Sequence, residues 1–125
     1  MATLAAIIFA VTIAGVVGYQ LALALGAPWG EYAMGGAVRG RFPPALRAVA
    51  VVQAVALAIL ALIVLGHVGI GPLAGTAVPV WVAVATSVLA VVLNAASRSG
   101  GERRIWVPVS IVLLVSSLVV ALMAR

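Results

Sequence analysis

Four stretches of the chain contain no Asp, Glu, Lys or Arg: Leu4–Leu25, Ala48–Leu65, Ala77–Ala96 and Ile105–Ala124. About 20 apolar residues rising about 1.5 Å each cross a hydrocarbon core about 30 Å thick. The pattern therefore predicts an all-α polytopic membrane protein, a small bundle of four transmembrane helices over about 4–25, 45–65, 77–96 and 105–124. So many spans in 125 residues leave little chain for an aqueous unit, so residues 1–125 form one domain.

Charge gives the bundle a direction. Eight of the nine charged residues lie in or beside the first and third connections: Glu31, Arg39, Arg41, Arg47, Arg98, Glu102, Arg103 and Arg104. Only Arg125 lies elsewhere, and the connection Gly66–Gly75 has no Lys or Arg. Six arginines against one put Gly26–Pro44 and Ser97–Arg104 in the cytoplasm and both termini outside. The first stretch resembles a signal peptide only in part. Ala22-Leu23-Ala24 has cleavage-like spacing, but no basic region precedes the run, and its 22 residues exceed the usual apolar core of about 7–15. A spanning helix is the reading.

Composition agrees with this: 66% of residues are hydrophobic and 7% charged. In a soluble protein the net charge of +5 would suggest nucleic acid. Beside membrane spans the arginines instead set topology and meet anionic phospholipid headgroups. Cys is absent, which excludes disulfides, thiol catalysis and thiolate metal sites. The lack of Lys beside abundant Ala, Val, Gly and Arg points to a GC-rich bacterial genome, and hence to the bacterial cytoplasmic (inner) membrane.

Helix ends have local causes. Pro43 and Pro44 precede the second helix, where a first-turn Pro loses no helical hydrogen bond. Thr76 is placed to cap the third, with Pro79 in its first turn, and Ser99 with Glu102 has capping-box spacing before the fourth. Trp29, Tyr32 and Trp106 suit the cytoplasmic interface as anchors, and Trp81 the outer one.

In lipid, close backbone approach and interhelical hydrogen bonds hold helices together, because lipid tails are as apolar as leucine. The first helix has a small residue at every fourth position, Ala6, Ala10, Ala14, Gly18, Ala22 and Gly26. This predicts a close-packing face through Ala14, Gly18 and Ala22, against another helix of the chain, a second copy or another membrane protein. Ala50, Ala54, Ala58 and Ala61 answer on the second helix, Thr86 and Ala90 on the third, and Ser110, Ser117 and Ala121 on the fourth.

Polar groups within the spans are few. Gln20, Gln53 and Asn94 all fall in the cytoplasmic half, near Tyr19, Glu31, Arg47, Arg98 and Glu102. An amide in hydrocarbon is costly unless hydrogen-bonded, so these side chains should face the bundle interior. Gln20, Glu31, Arg47, Gln53, Asn94, Arg98 and Glu102 form a candidate polar cluster, read first as interhelical glue and second as a pocket open to the cytoplasm. The loop GAPWGEYAMGGAVRGRFPP, from Gly26 to Pro44, lies beside it. Pro28 is placed to open a short helix with Glu31 in its first turn, ended by Gly35-Gly36. Trp29 and Tyr32 would share its face, as an interfacial anchor or as a lid over the polar end. With the only carboxylates on this side, Glu31 should pair with Arg98, Arg103 or Arg104.

The loop PWGEYAMGG and the segment RSGGERRIWVPV resemble uncharacterised small four-helix bacterial integral membrane proteins, with GRFPPALRAVAVVQ and LNAAS at similar spacing. The resemblance covers most of the chain. It implies fold and length, and no activity, ligand or cofactor. Small multidrug transporters carry a carboxylate inside the first helix, which has none here. The Asn- and Gly-rich signature of fluoride channels is not found.

An enzyme is the least supported class. One His, two Glu, no Asp and no Cys supply no nucleophilic triad and no conventional metal set. His67 reads as a loop histidine, and Glu31 with Glu102 as capping and pairing groups before an acid/base pair. No Walker spacing supports phosphate chemistry, and a phospholipid contact explains the same Arg and Gly residues. Proton-coupled transport needs an ionisable group within the membrane, and none lies between the helix ends. The best reading is a structural, partner-binding or lipid-binding membrane component. The alternative is an oligomeric small-solute transporter or channel with its polar site on the cytoplasmic side.

Overall fold

The computed structural model describes residues 1–124, and Arg125 lies outside them. Among the described residues all regular structure is helical: α1 (Ala2–Ala24), α2 (Pro44–His67), α3 (Trp81–Ala95) and α4 (Gly100–Met123). Two single 3-10 turns, Gly30–Tyr32 and Met34–Gly36, lie between α1 and α2. α1, α2 and α4 are long and apolar enough to cross a membrane. α3 has 15 residues, about 22 Å at 1.5 Å per residue, which is short of a hydrocarbon core of about 30 Å.

The expected third span is therefore trimmed at its start. Residues 77–79 are not helical, and Pro79 disfavours helical backbone at Val78 before it. Thr76 does not cap α3. Its hydroxyl donates to the Leu73 carbonyl at 2.8 Å, which closes a turn in the connection instead. The other expected starts are present. Pro43 is the N-cap of α2, and the Ser99 hydroxyl accepts from the Glu102 N–H at 3.1 Å. Only half of that capping box forms. The Ser99 N–H donates to Ser97 Oγ at 3.1 Å, so the Glu102 carboxylate is free to turn elsewhere.

α1 packs along both α2 and α4, and α3 packs along α4, while α2 and α3 touch little. The order around the bundle is α2, α1, α4, α3, with a seam between the first and the last. The main core fills the end away from the arginines, with Phe9, Ile13, Val64, Ala83 and Val120 all under 2% exposed. The seam closes there, because the chain after α2 folds back onto it. A Cβ on Gly66 would stand 2.7 Å from the Leu73 carbonyl oxygen. A second cluster of Leu23, Phe42 and Ala50 closes the arginine-bearing end.

The middle of the small-residue stripe of α1 does not pack within the chain. Ala6 is buried, but Ala14 and Gly18 are exposed and Ala22 is half-buried. No atom outside α1 lies within 4 Å of a Cβ built on Gly18. A helix turns about 100° per residue, and α1 turns Phe9 and Ile13 inward because they give far more contact than alanine. Ala14 and Gly18 are thereby rotated outward. α2 buries Ala50, Ala54 and Ala61 but not Ala58, and α4 buries Ser110, Ser117 and Ala121. Exposed Thr86 does not contribute to α3 packing, whose inner face is Ala83, Val84 and Ser87.

Helical serines act as small residues here. Ser87, Ser110, Ser116 and Ser117 donate to carbonyls three or four residues back in their own helices. Each hydroxyl is thus satisfied locally, and the neighbouring helix meets a side chain little larger than alanine.

Candidate functional site

A cavity of about 570 Å³ lies between the two cores, at the level where α2 and α3 diverge. Each helix contributes an amide or a carboxylate to it: Gln20 from α1, Gln53 from α2, Asn94 from α3 and Glu102 from α4. Val16, Leu57, Leu93 and Leu113 form its apolar wall. The glue reading requires the amides to bond one another or the backbone. Among the described residues, none of the three amide side chains has a hydrogen-bond partner in the protein, and no side-chain N or O atom is buried without one. The amides thus face accessible space.

The loop 26–43 folds across this end as a strap, with Tyr32, Ala33, Met34, Gly35 and Phe42 in the cavity wall. The single short helix expected after Pro28 is divided into two turns by extended Ala33 (φ −138°, ψ 156°), and Met34, Gly35 and Gly36 of the second turn take positive φ values of 51°, 69° and 75°. This turn aims the Gly35 N–H at Glu102 Oε2, 2.8 Å away. The Ser99 hydroxyl donates to the Glu31 carbonyl at 2.8 Å, and the Trp106 indole N–H to the Tyr32 carbonyl at 2.6 Å. A Cβ on Gly101 would lie 2.6 Å from the Tyr32 ring, so glycine at this position lets the strap lie against the start of α4. The strap also holds itself, through Gly30 N–H to the Gly40 carbonyl at 2.9 Å. Arg47 Nε donates to the Phe42 carbonyl at 2.8 Å.

Of the seven residues of the expected polar cluster, Gln20, Gln53, Asn94 and Glu102 share the cavity. Glu31 and Arg98 line a separate, smaller recess of about 290 Å³ with Arg39 and Ser99. Arg47 braces the strap. Among the described residues no Glu–Arg ion pair joins the two loops. Ser97 and Gly35 take the Glu102 carboxylate, at 2.9 and 2.8 Å. The Arg103 guanidinium donates to the Ser97 carbonyl. The link is made of hydrogen bonds because the carbonyls and the Gly35 N–H would otherwise be left without partners as the strap closes.

The aromatic residues divide in a way that hydropathy does not reveal. Trp81 is 52% exposed at the far end of the bundle. Trp29 is exposed on one side and stacks on Tyr19 at 6.2 Å between centroids. Trp106 turns inward and meets Tyr19 at 4.7 Å, tilted by 59°. Tyr19, which the sequence places beside the polar cluster, and Trp106, Ser97 and Gly35, which it does not, all lie in the cavity wall. Glu102, Trp106 and Ser110 follow at intervals of four on one face of α4, a spacing that places Trp106 beside the carboxylate.

The arrangement joins an apolar slot to a polar end rich in acceptors and aromatic rings. Comparison with protein-family models, curated proteins and solved structures found no match.

Proposed function

We propose that this chain is a lipid-binding component of a bacterial inner membrane, which holds one amphipathic molecule in the slot between α2 and α3. The observation that carries this reading is the cavity of about 570 Å³, with three amides that have no protein partner at one end and aliphatic walls at the other. Small-molecule sites commonly measure about 300–1,000 Å³ and place a few polar groups on an apolar lining. Unpartnered amides at membrane depth are costly, and a ligand head or its water would satisfy them.

Four crossings with both termini outside complete the proposal. α3 supplies about 22 Å, and the non-helical residues 77–79 before it span at most about 10 Å more, enough together for a core of about 30 Å. The arginines of the two loops then lie at the cytoplasmic surface, where anionic headgroups attract them. The resemblance of the strap and α4 segments to small four-helix bacterial membrane proteins agrees with that placement.

Native mass spectrometry of the protein extracted in mild detergent tests the reading. Wild-type protein should retain one amphiphile per chain. Ala90→Trp, which fills the slot, should release it, and Val92→Trp on the exposed side of α3 should not. Equal retention in all three proteins would overturn the proposal.

A further inference from the structure

We infer that the cavity selects an amphiphile with a cationic head, a protonated amine or quaternary ammonium on a single hydrocarbon chain. The inference rests on the amphiphile-binding reading and adds the chemistry of the head. Among the described residues Glu102 is the one charged residue in the cavity wall, and it is 8% exposed. Its two side-chain hydrogen bonds both fall on Oε2. Oε1 takes neither, and because no side-chain oxygen is buried without a partner, Oε1 is reachable.

The arginines are held away from the cavity. Arg39 and Arg98 line the smaller recess, Arg103 is engaged by the Ser97 carbonyl, and Arg47 by the Phe42 carbonyl. An anionic head would therefore meet a carboxylate with no guanidinium in the cavity wall. A cationic head meets that carboxylate, the amide oxygens of Gln20, Gln53 and Asn94, and aromatic rings. Tyr19, Tyr32 and Trp106 all lie in the cavity wall, with the Tyr19 and Trp106 rings 4.7 Å apart and tilted by 59°. Ring faces attract ammonium groups, most strongly where water is excluded. Leu57, Leu93 and Leu113 receive the chain.

The test uses the whole protein as Trp29→Phe/Trp81→Phe, leaving Trp106 as the fluorophore, in dodecyl maltoside micelles, whose heads are uncharged. It is titrated with decyltrimethylammonium, 1-decanol and decyl sulfate, each corrected for its partition into protein-free micelles. Half-saturation of the Trp106 signal should come at about tenfold lower concentration for the ammonium, the ratio that 1.4 kcal/mol produces. Glu102→Gln, which keeps an acceptor for Gly35 and Ser97, should abolish the preference, and Glu31→Gln should preserve it. Equal half-saturation for the three compounds, or a lower value for decyl sulfate, overturns the inference and leaves the amphiphile site standing. No response of Trp106 to any of them removes both. If Glu102→Gln does not fold, the ranking of the three heads on the parent protein decides alone.

Discussion

The backbone N–H of Gly35 donates to the Glu102 carboxylate at 2.8 Å, joining residues 67 positions apart. This bond ties the α1–α2 hairpin to the start of α4 and forms part of the cavity wall. Its partners are fixed by a run of positive φ values on one side and by the Ser99 cap on the other.

Glu102→Ala leaves the Gly35 N–H and the Ser97 hydroxyl without their acceptor. Hydrogen bonds to a charged group contribute about 1.5–3 kcal/mol each, and a loss of about 2–3 kcal/mol is expected after partial rescue by water. Glu102→Gln should lose less than half as much. Thermal unfolding in detergent measures the difference. Hydrogen exchange should show faster exchange at residues 33–37 in the Ala variant alone.

Gly101→Ala should destabilise the strap because its Cβ would stand 2.6 Å from the Tyr32 ring, and the neighbouring Tyr32 carbonyl is held by Trp106. Overpacking of this kind costs about 1–3 kcal/mol. Gly100→Ala is the matched control. The atom nearest its Cβ is a guanidinium nitrogen of Arg103 at 3.7 Å, and a change within about 0.5 kcal/mol is expected. Equal unfolding temperatures for the two variants would show that Tyr32 moves freely.

Three helices were legible because long uncharged runs have few other uses. The third run looked longer than the helix it contains, since the apolar residues before Trp81 read alike as helix or extended chain. The amides were legible as a group, because such side chains are rare in apolar runs, and each of the first three helices brings one to the same cavity. The partners of the carboxylates were not. Two carboxylates among six arginines suggested ion pairs, whereas Glu102 meets a backbone N–H whose direction depends on φ at residues 34–36. Hydrophobic periodicity carries no information about that turn. The rotation of α1 was equally hidden, because its apolar residues surround the whole helix and only packing against α2 and α4 selects Phe9 and Ile13.

Gly18→Leu tests that rotation. If the stripe packed within the bundle, leucine would force backbones apart at a cost of about 1–3 kcal/mol. With open space around Gly18, stability should change by less than about 0.5 kcal/mol. Unfolding in detergent at low protein concentration gives the intramolecular answer. Crosslinking of wild type and variant in membranes then shows whether a second copy uses the exposed face. Loss of a wild-type dimer band with unchanged unfolding would assign the stripe to assembly.

Topology is the widest prediction, because every depth assignment depends on it. The chain has no cysteine, so single cysteines report without background. Ala37, Ile70 and Arg98 are exposed in the strap, the α2–α3 connection and the α3–α4 connection. In intact cells an impermeant thiol reagent should label the Ile70→Cys variant and spare Ala37→Cys and Arg98→Cys, all three reacting after the membrane is opened. This outcome follows from six arginines beside the two spared positions and none in the labelled connection. The opposite pattern would place the cavity and its strap in the outer leaflet. Labelling of Ala37→Cys and Ile70→Cys together would mean that α2 does not cross, leaving fewer than four spans and no membrane depth for the unpartnered amides.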